Sequence, residues 1–326
     1  MIIGAMNTLP PLNGALRLAD WGVIRAQGVD AASFLQGQLT QDVAQLSETQ
    51  ARLAGYCSAK GRLLASFVVW RTDPQTFYLA CSADLLAATL KRLSMFVMRA
   101  KCKLSDASAE IALFGLAGAP AAQALGESAP AAPWAVLASA AGQVIRLPDA
   151  NAQPRFLMAQ PIATVTETAI SAAAPALAVL EPLTPAQWQW LEVKSGVARI
   201  VAATVEQFVP QMVNLELVGG VNFQKGCYPG QEVVARSQYR GTLKRRAMLF
   251  DSAADLRPGQ EVFHSDDPGQ PAGQVALAAP RPGGGGSALV EIKLAALASG
   301  SLHAGAADGP LLLPDALPYA IPADAA

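Results

Sequence analysis

The residue types best suited to chemistry are concentrated in one short run, residues 222–232. The run reads Asn-Phe-Gln-Lys-Gly-Cys-Tyr-Pro-Gly-Gln-Glu, and it brings together a thiol, an amine, a phenol, amides and a carboxylate. An apolar segment that ends in Gly219-Gly220 precedes it, and a segment that predicts a new regular element begins near Glu232. A polar loop between two apolar elements is typical of a segment that carries a site.

Cys227 is the candidate catalytic residue of this run. Lys225 stands two residues before it, and Gly226 and Gly230 leave the backbone open to close approach by a ligand. A nearby cation and a helix N-terminus would each lower the pKa of a thiol and increase its reactivity. A free cysteine is more often a buried and inert side chain, but its polar neighbours favour a functional role here.

The end of the run offers groups that could bind an aromatic heterocycle. Glu232, with Gln231 beside it, could accept hydrogen bonds from an N–H-rich ring edge such as that of a pterin or a guanine. Glu232 could equally cap a helix, and Arg236 would then pair with it at a spacing of four residues. Arg236 and Arg240 could also receive a carboxylate tail of a ligand.

The composition limits the class of protein. The chain has 326 residues, 52% of them hydrophobic, which predicts two or three domains with ample core. The net charge of -1 disfavours a dedicated nucleic-acid binder, and we expect no direct DNA binding. No apolar run reaches the length of about 20 residues that spans a bilayer, and the start of the chain does not resemble a signal peptide. The sequence therefore predicts a cytoplasmic protein without a membrane partner.

Cysteine and histidine usage argues against a metal site and against a histidine-dependent hydrolase. The four cysteines are widely spaced and only two histidines occur, both in the C-terminal quarter. We therefore expect free thiols and no metal. The cysteines are Cys57, Cys81, Cys102 and Cys227, and the histidines are His264 and His303.

Hydrophobic patterning predicts an α+β protein with a β-rich C-terminal end. Residues 1–108 suggest an α+β unit with an antiparallel sheet, completed by parts of 180–243, and residues 109–180 suggest a second. Residues 181–243 carry the polar run and close the site. Short, evenly spaced strands over 244–326 predict a small β-barrel.

Tryptophans are the other candidate ligand contacts. Thr184 followed by proline predicts a helix start, and Gly196 its end. Trp188 and Trp190 lie two residues apart on this helix and so face about 200° apart. One of them is left for a second surface, which could be a ligand. Trp21 is either half-buried in a core or an aromatic wall for a flat ligand.

The octapeptide Lys225–Glu232 closely resembles the signature of the YgfZ family of folate-binding proteins. That family is linked to iron–sulfur protein maturation and tRNA modification, and it is related to the T-protein aminomethyltransferase of glycine cleavage. Further segments resemble family landmarks in the expected order, and the resemblance spans about residues 16–250. These segments are 34–43, 59–62, Pro210-Gln211 with Asn214-Leu215, and 239–241.

The resemblance implies a three-domain T-protein-like fold, with two α+β domains and a C-terminal small β-barrel around a central folate cavity. It implies tetrahydrofolate or another folate derivative as the ligand. Iron–sulfur enzymes or cluster-assembly proteins would be its partners as clients. The expected folate-binding residues are Trp21, Trp188, Gln211, Asn214, Lys225, Gly226, Tyr228, Gly230, Gln231, Glu232, Arg236 and Arg240.

Two departures from the relatives bear on activity. The T-protein has carboxylates where this chain has Leu64 and Ala65, so aminomethyl transfer is not expected. Lys194-Ser195 stands where relatives often have an acidic residue. Three functions remain open: a folate-binding accessory protein for iron–sulfur assembly and tRNA modification, a folate-dependent one-carbon transferase or demethylase, and a non-catalytic scaffold.

Overall fold

A computed structural model describes residues 11–139, 142–162, 178–239 and 243–322, which form two antiparallel sheets and a closed barrel. The strands are β1 (Gly14–Arg17), β2 (Trp21–Gln27), β3 (Arg52–Cys57), β4 (Leu63–Asp73), β5 (Thr76–Ser82), β6 (Lys103–Asp106), β7 (Ile111–Ala117), β8 (Val136–Ser139), β9 (Gly142–Ala150), β10 (Gln153–Pro161), β11 (Arg245–Ser252), β12 (Glu261–His264), β13 (Asp267–Pro280), β14 (Gly286–Lys293), β15 (Leu302–Ala304) and β16 (Leu311–Asp315). The helices are α1 (Ala31–Gln36), α2 (Ala83–Met95), α3 (Ala119–Leu125), α4 (Pro185–Lys194) and α5 (Gln231–Tyr239).

The first sheet has five strands in the order β3-β4-β5-β2-β6. Its inner strands β4 and β5 are rich in β-branched and aromatic residues and are buried along most of their length. Helix α2 buries Leu85, Leu86, Thr89 and Leu93, which lie on one helical face and pack on this sheet.

The second sheet has the order β1-β7-β10-β9-β8. Strand β1 precedes the first sheet in the chain but pairs with β7, with Ala15 opposite Leu116. The backbone of Ala15 also bonds to Glu181 and Leu183, just before α4. The N-terminal strand therefore ties the second sheet to the segment that leads into α4.

The C-terminal strands close into a barrel in the order β11-β14-β13-β12-β15-β16. A loop with three consecutive glycines of positive φ, Gly283 to Gly285, joins β13 to β14. The barrel has its own apolar core, which includes Phe250, Val275 and Val290. Two antiparallel sheets with their helices and a closed β-barrel confirm the predicted α+β fold class.

Helix α4 lies between the second sheet and the barrel. Thr184 and Gln187 form a capping box at its start, as Thr184 followed by proline predicts. Trp188 packs on Gly115, where a Cβ atom would lie 2.7 Å from the indole ring. Trp190 faces the barrel and donates from Nε1 to the Ser287 Oγ at 3.0 Å. Both tryptophans are buried because both faces of this helix are covered.

No helix in the described ranges combines the length and the apolarity needed to cross a bilayer.

Candidate functional site

A cavity lies between the two sheets, beneath the C-terminal end of α4; we call it the central cavity. Its empty volume is about 440 Å³ counted out to its open mouth. The walls are mostly apolar, and two tryptophans contribute to them. The lining residues are Trp21, Leu53, Ser66, Phe67, Val68, Trp134, Leu147, Pro148, Arg155, Glu192, Ser195, Val197, Ala198 and Arg199.

A buried carboxylate–guanidinium pair lines this cavity. Arg199 Nη2 donates to Glu192 Oε2 at 3.1 Å and to Asp20 Oδ2 at 2.7 Å. Glu192 and Arg199 are buried, whereas Asp20 is half-buried. Burial raises the pKa of Glu192, and the neighbouring Arg199 only partly offsets this. Burial alone would lower the pKa of Arg199. The combined effect of the Glu192 and Asp20 carboxylates is larger, so the pKa of Arg199 is raised.

Two guanidinium groups lie over the predicted tryptophans. Arg199 lies 5.0 Å from the ring centre of Trp21, and Arg155 lies 5.4 Å from that of Trp188. The indole N–H groups of Trp21 and Trp188 are both buried and have no hydrogen-bond partner among the described residues. The structure thus brings Trp21 to the cavity wall and places Trp188 behind Arg155, one layer away from the open space.

The charged groups of the cavity were missed by sequence reasoning. Glu192 lies four residues after Trp188, so helical spacing could have placed the two on one face. Arg155 stands at the start of a continuous buried apolar run on β10, so the strand pattern gives no signal for it. Arg199 follows α4 in an irregular segment and gives no local signal.

The two positions that depart from the T-protein do not line the central cavity. Leu64 lies in a separate groove beside α2, together with Tyr56 and Leu85. Ala65 is buried in β4 and pairs with Tyr56. The polar residue that β4 presents to the cavity is Ser66, whose hydroxyl accepts a hydrogen bond from the Ile200 N–H at 3.0 Å.

The polar run docks on the turn between β3 and β4 through two glycines. Gly230 has φ of 78°, and a Cβ atom there would collide with the Ser58 carbonyl oxygen and lie 2.6 Å from the Gly61 Cα. Gly61 has φ of 72°, and its own Cβ would lie 2.8 Å from the Cβ of Val233. Only glycine fits this approach at either position. Gly226, in contrast, is exposed, and a Cβ there would meet open space.

Lys225 is buried, and it attaches the polar run to the end of α1 and the residues that follow it. Its ammonium donates to the Leu39 carbonyl oxygen at 2.7 Å and to the Gln36 carbonyl oxygen. It also lies 5.1 Å from the ring centre of Tyr228. Burial lowers the pKa of Lys225 to about 8, although Asp42 and Cys227 partly oppose this. Burial also raises the pKa of Tyr228.

Cys227 is the one exposed cysteine in the described part of the chain. It lies four residues before the start of α5, and it does not line the central cavity. Cys57 and Cys81 are buried, and burial raises the pKa of each thiol to about 12. Cys102 is half-buried, and burial followed by the nearby Asp30 raises its pKa.

The other predicted folate contacts lie outside the central cavity. Gln211 is buried and donates to the Val234 carbonyl oxygen of α5 at 2.8 Å. Asn214 has φ of 57° and donates to the Ala247 carbonyl oxygen of β11 at 2.7 Å. These two amides fix α5 and the barrel relative to the intervening loop.

The charged residues of α5 face solvent, whereas Val234 is buried. Glu232 and Arg236 are exposed and pair with each other at 3.2 Å, one helical turn apart. Gln231 is half-buried at the helix start. Arg240 lies outside the described residues.

An open groove continues from the central cavity; we call it the outer groove. Its empty volume is about 930 Å³ counted out to its open face, and it shares Leu53 and Trp134 with the central cavity. The first three residues of the polar run line it. Its residues are Gln41, Arg52, Leu53, Trp134, Gly219, Val221, Asn222, Phe223, Gln224 and Tyr239. The start of the polar run therefore lies along the groove that adjoins the central cavity.

Comparisons with known proteins agree with this architecture. The family model of the GCVT N-terminal domain matches residues 16–140. The tRNA-modifying protein YgfZ of Edwardsiella ictaluri (strain 93-146) is 40% identical over 247 residues, which cover 74% of this chain and 72% of that protein. The crystal structure of glycine cleavage system aminomethyltransferase T from Bartonella henselae is similar with a TM-score of 0.67 and 18% identity, covering 94% of this chain and 85% of that one. At that identity the similarity shows the fold alone.

Proposed function

The chain belongs to the family of the tRNA-modifying protein YgfZ, and we propose that it is a folate-binding accessory protein that supports iron–sulfur cluster assembly or repair, including for enzymes that modify tRNA. The observation that carries the folate proposal is the buried carboxylate of Glu192 in a cavity walled by Trp21 and Trp134. A flat apolar slot with a few polar groups suits a small aromatic ligand. We place the protein in the cytoplasm.

The groups of the central cavity fit the pterin ring of a folate. A pterin edge presents adjacent N–H donors, and the Glu192 carboxyl oxygens, beside the Arg199 guanidinium, can accept hydrogen bonds from them. The partnerless N–H of Trp21 is a donor for a ring acceptor. A bound tetrahydrofolate would supply a carrier for one-carbon units.

Cys227 is the group that we propose acts on the substrate. Its thiol is exposed on a loop that Lys225, Gly230 and Gln211 anchor to the body of the protein. An exposed thiol at a fixed position can serve in redox chemistry, in one-carbon capture or in transient contact with a cluster delivered as cargo. The neighbouring Lys225 amine adds a positive charge at neutral pH.

We do not propose aminomethyl transfer. Leu64 and Ala65 supply no carboxylate, and Ser66 is the polar group that β4 presents to the cavity. Glu192 is the single carboxylate among the cavity-lining residues, and it is engaged by Arg199. A folate-dependent transferase would therefore need its base from the substrate or from a partner.

Titration with tetrahydrofolate, followed by tryptophan fluorescence, tests the ligand proposal. We expect saturable quenching, and we expect Glu192→Gln to weaken binding at least tenfold because the amide presents a donor to the ring edge. The matched control is Glu232→Gln, which alters the exposed carboxylate of α5. If Glu232→Gln alone weakens binding, the acceptor lies on the polar run and not in the cavity. Absence of saturable quenching would refute folate binding.

Complementation tests the thiol proposal. In a strain that lacks this protein and has low activity of iron–sulfur enzymes, we expect Cys227→Ala to fail to restore activity. Cys102→Ala, which removes a half-buried thiol, should restore it. Full rescue by Cys227→Ala would show that the thiol is dispensable.

A further inference from the structure

A groove beside α2 has mostly apolar walls and a basic edge; we call it the α2 groove. One wall is a stripe of α2 residues spaced three or four apart, which places them on one face of the helix. The opposite wall comes from Tyr56, Leu64 and Val205. The empty volume is about 700 Å³ counted out to the open face, and no carboxylate is among the lining residues. The stripe includes Leu85, Ala88, Arg92 and Met95.

Exposed apolar side chains follow this groove at the end of α2. Met95, Phe96 and Met98 keep 62%, 46% and 87% of their surfaces exposed. The turn that carries Met98 is tied to the body of the protein, because the Asp30 carboxylate accepts from the Lys101 N–H at 2.7 Å. Clustered exposed apolar side chains mark an interaction site, and the flexible methionine side chain adapts to the shape of a partner.

The segment that carries these side chains is strongly basic, although the whole chain is not. Residues 85–105 contain five basic residues and no acidic residue, in a chain whose net charge is -1. All five are exposed, and none of them forms an ion pair with another described residue. Unpaired cations beside apolar surface complement a partner with carboxylates beside its own apolar side chains. The five are Lys91, Arg92, Arg99, Lys101 and Lys103.

From these observations we propose that the α2 groove and the exposed side chains after it dock an acidic amphipathic helix of a partner protein. Apolar residues of that helix, at helical spacing, enter the groove, and its carboxylates meet Lys91 and Arg92 at the edge. The inference goes beyond the proposed function, because it names a docking surface that requires neither folate nor Cys227.

Two other occupants fit the observations less well. A bilayer presents a flat surface, whereas this groove is recessed between α2 and Leu64 of β4 and admits individual side chains. A second copy of the chain, docked through the same face, would place five cations opposite five cations. The combination of an apolar groove and a basic edge therefore favours an acidic protein partner.

Fluorescence anisotropy of a labelled synthetic peptide tests the proposal. The peptide has about 18 residues, which is five helical turns, with leucines at a spacing of three and four and glutamates at the other positions. We expect wild type to bind it saturably and not to bind a scrambled peptide of the same composition. Met95→Ser should weaken binding about tenfold, because it removes an exposed apolar contact.

Charge reversal at the edge provides the second arm of the test. Lys91→Glu should weaken binding about tenfold, and the loss should shrink as salt is added because exposed charges are screened. Two matched controls lie on the barrel, away from the groove. Leu313→Ser removes an exposed apolar side chain of β16, and Arg257→Glu reverses an exposed charge. Both should bind the peptide as wild type does.

Several results would overturn the proposal. The first is absence of peptide binding by wild type, and the second is equal binding by wild type, Met95→Ser and Lys91→Glu. Equal binding of the scrambled peptide would show attraction by charge alone. Without peptide binding, sedimentation with phosphatidylglycerol vesicles that Met95→Ser abolishes would assign the groove to a membrane surface, and self-association that Met95→Ser abolishes would assign it to a second copy. Both groove variants should keep the tetrahydrofolate quenching of wild type, so a failure here is distinct from a failure of the folate proposal.

Discussion

The Arg199 guanidinium donates to the Glu192 carboxylate across 3.1 Å inside a cavity whose other walls are mostly apolar. Removing one partner of a buried ion pair leaves the other charge uncompensated, at a cost of about 3–5 kcal/mol. We therefore expect Arg199→Met to lower the free energy of unfolding by about that amount near neutral pH. Urea denaturation measures it. Asp20→Asn, which loses only the half-exposed partner, should cost about 1 kcal/mol or less.

The free energy of unfolding of Arg199→Met should depend on pH in a direction that follows from the pKa of Glu192. Burial already raises the pKa of Glu192 with Arg199 present, and it should rise further without that cation. A raised pKa means that the folded state holds the proton more tightly than the unfolded state. Arg199→Met should thus regain part of the lost stability as the pH falls below neutral. If the free energies of unfolding of Arg199→Met and wild type differ by the same amount at every pH, loss of the Arg199 cation does not change the pKa of Glu192, and the prediction is wrong.

The contact between Gly230 and Gly61 predicts a sharp contrast between two glycines of the polar run. Gly230→Ala should destabilise the protein by about 1–3 kcal/mol or displace the loop, because φ is positive and the added methyl group meets backbone atoms. Gly226→Ala should change the free energy of unfolding by about 0.5 kcal/mol or less, since its Cβ meets open space. Thermal or urea unfolding of both variants provides the comparison. Equal effects would mean that the loop does not dock on the β3–β4 turn.

Thiol exposure predicts the stoichiometry of cysteine labelling. In the native protein we expect one thiol to react rapidly with an aromatic disulfide reagent near pH 8, because the thiols of Cys57 and Cys81 are buried with pKa values of about 12. Under denaturing conditions all four should react. Cys227→Ser should remove the rapid phase. Persistence of that phase in the variant would identify another thiol as the accessible one.

The buried Lys225 predicts a rise in stability at alkaline pH. Its folded-state pKa of about 8 lies below the ordinary 10.5, so the native protein loses this proton before the unfolded chain does. Between these two values the stability contributed by this group increases with pH, by up to about 3 kcal/mol, and the gain is lost as the pH falls through 8. The free energy of unfolding should thus rise more steeply from about pH 7 to about pH 9.5 in wild type than in Lys225→Met. Parallel curves would show that this amine titrates normally.

Local signals in the sequence predicted several elements of the site. Thr184 with its following proline, and Gly196, bounded α4 because capping depends on residues close in the chain. The glycines and polar residues of 222–232 marked a loop, and the structure adds that Cys227 is exposed on it. The opposed directions of Trp188 and Trp190 followed from helical geometry, but the surfaces that cover them did not.

The sequence alone established the family signature, the α+β class, the barrel and the loop with its thiol, since these depend on short-range patterns of residue type. Only the tertiary structure decided which groups meet. Arg199 reaches Asp20 across 179 positions of the chain, and Lys225 bonds to the Leu39 carbonyl oxygen across 186. The cation beside Cys227 in the chain is thus engaged by backbone carbonyls, and the carboxylate of the cavity is Glu192. Such contacts depend on how sheets and helices pack, because burial and pairing arise from neighbours in space that periodicity and spacing do not encode.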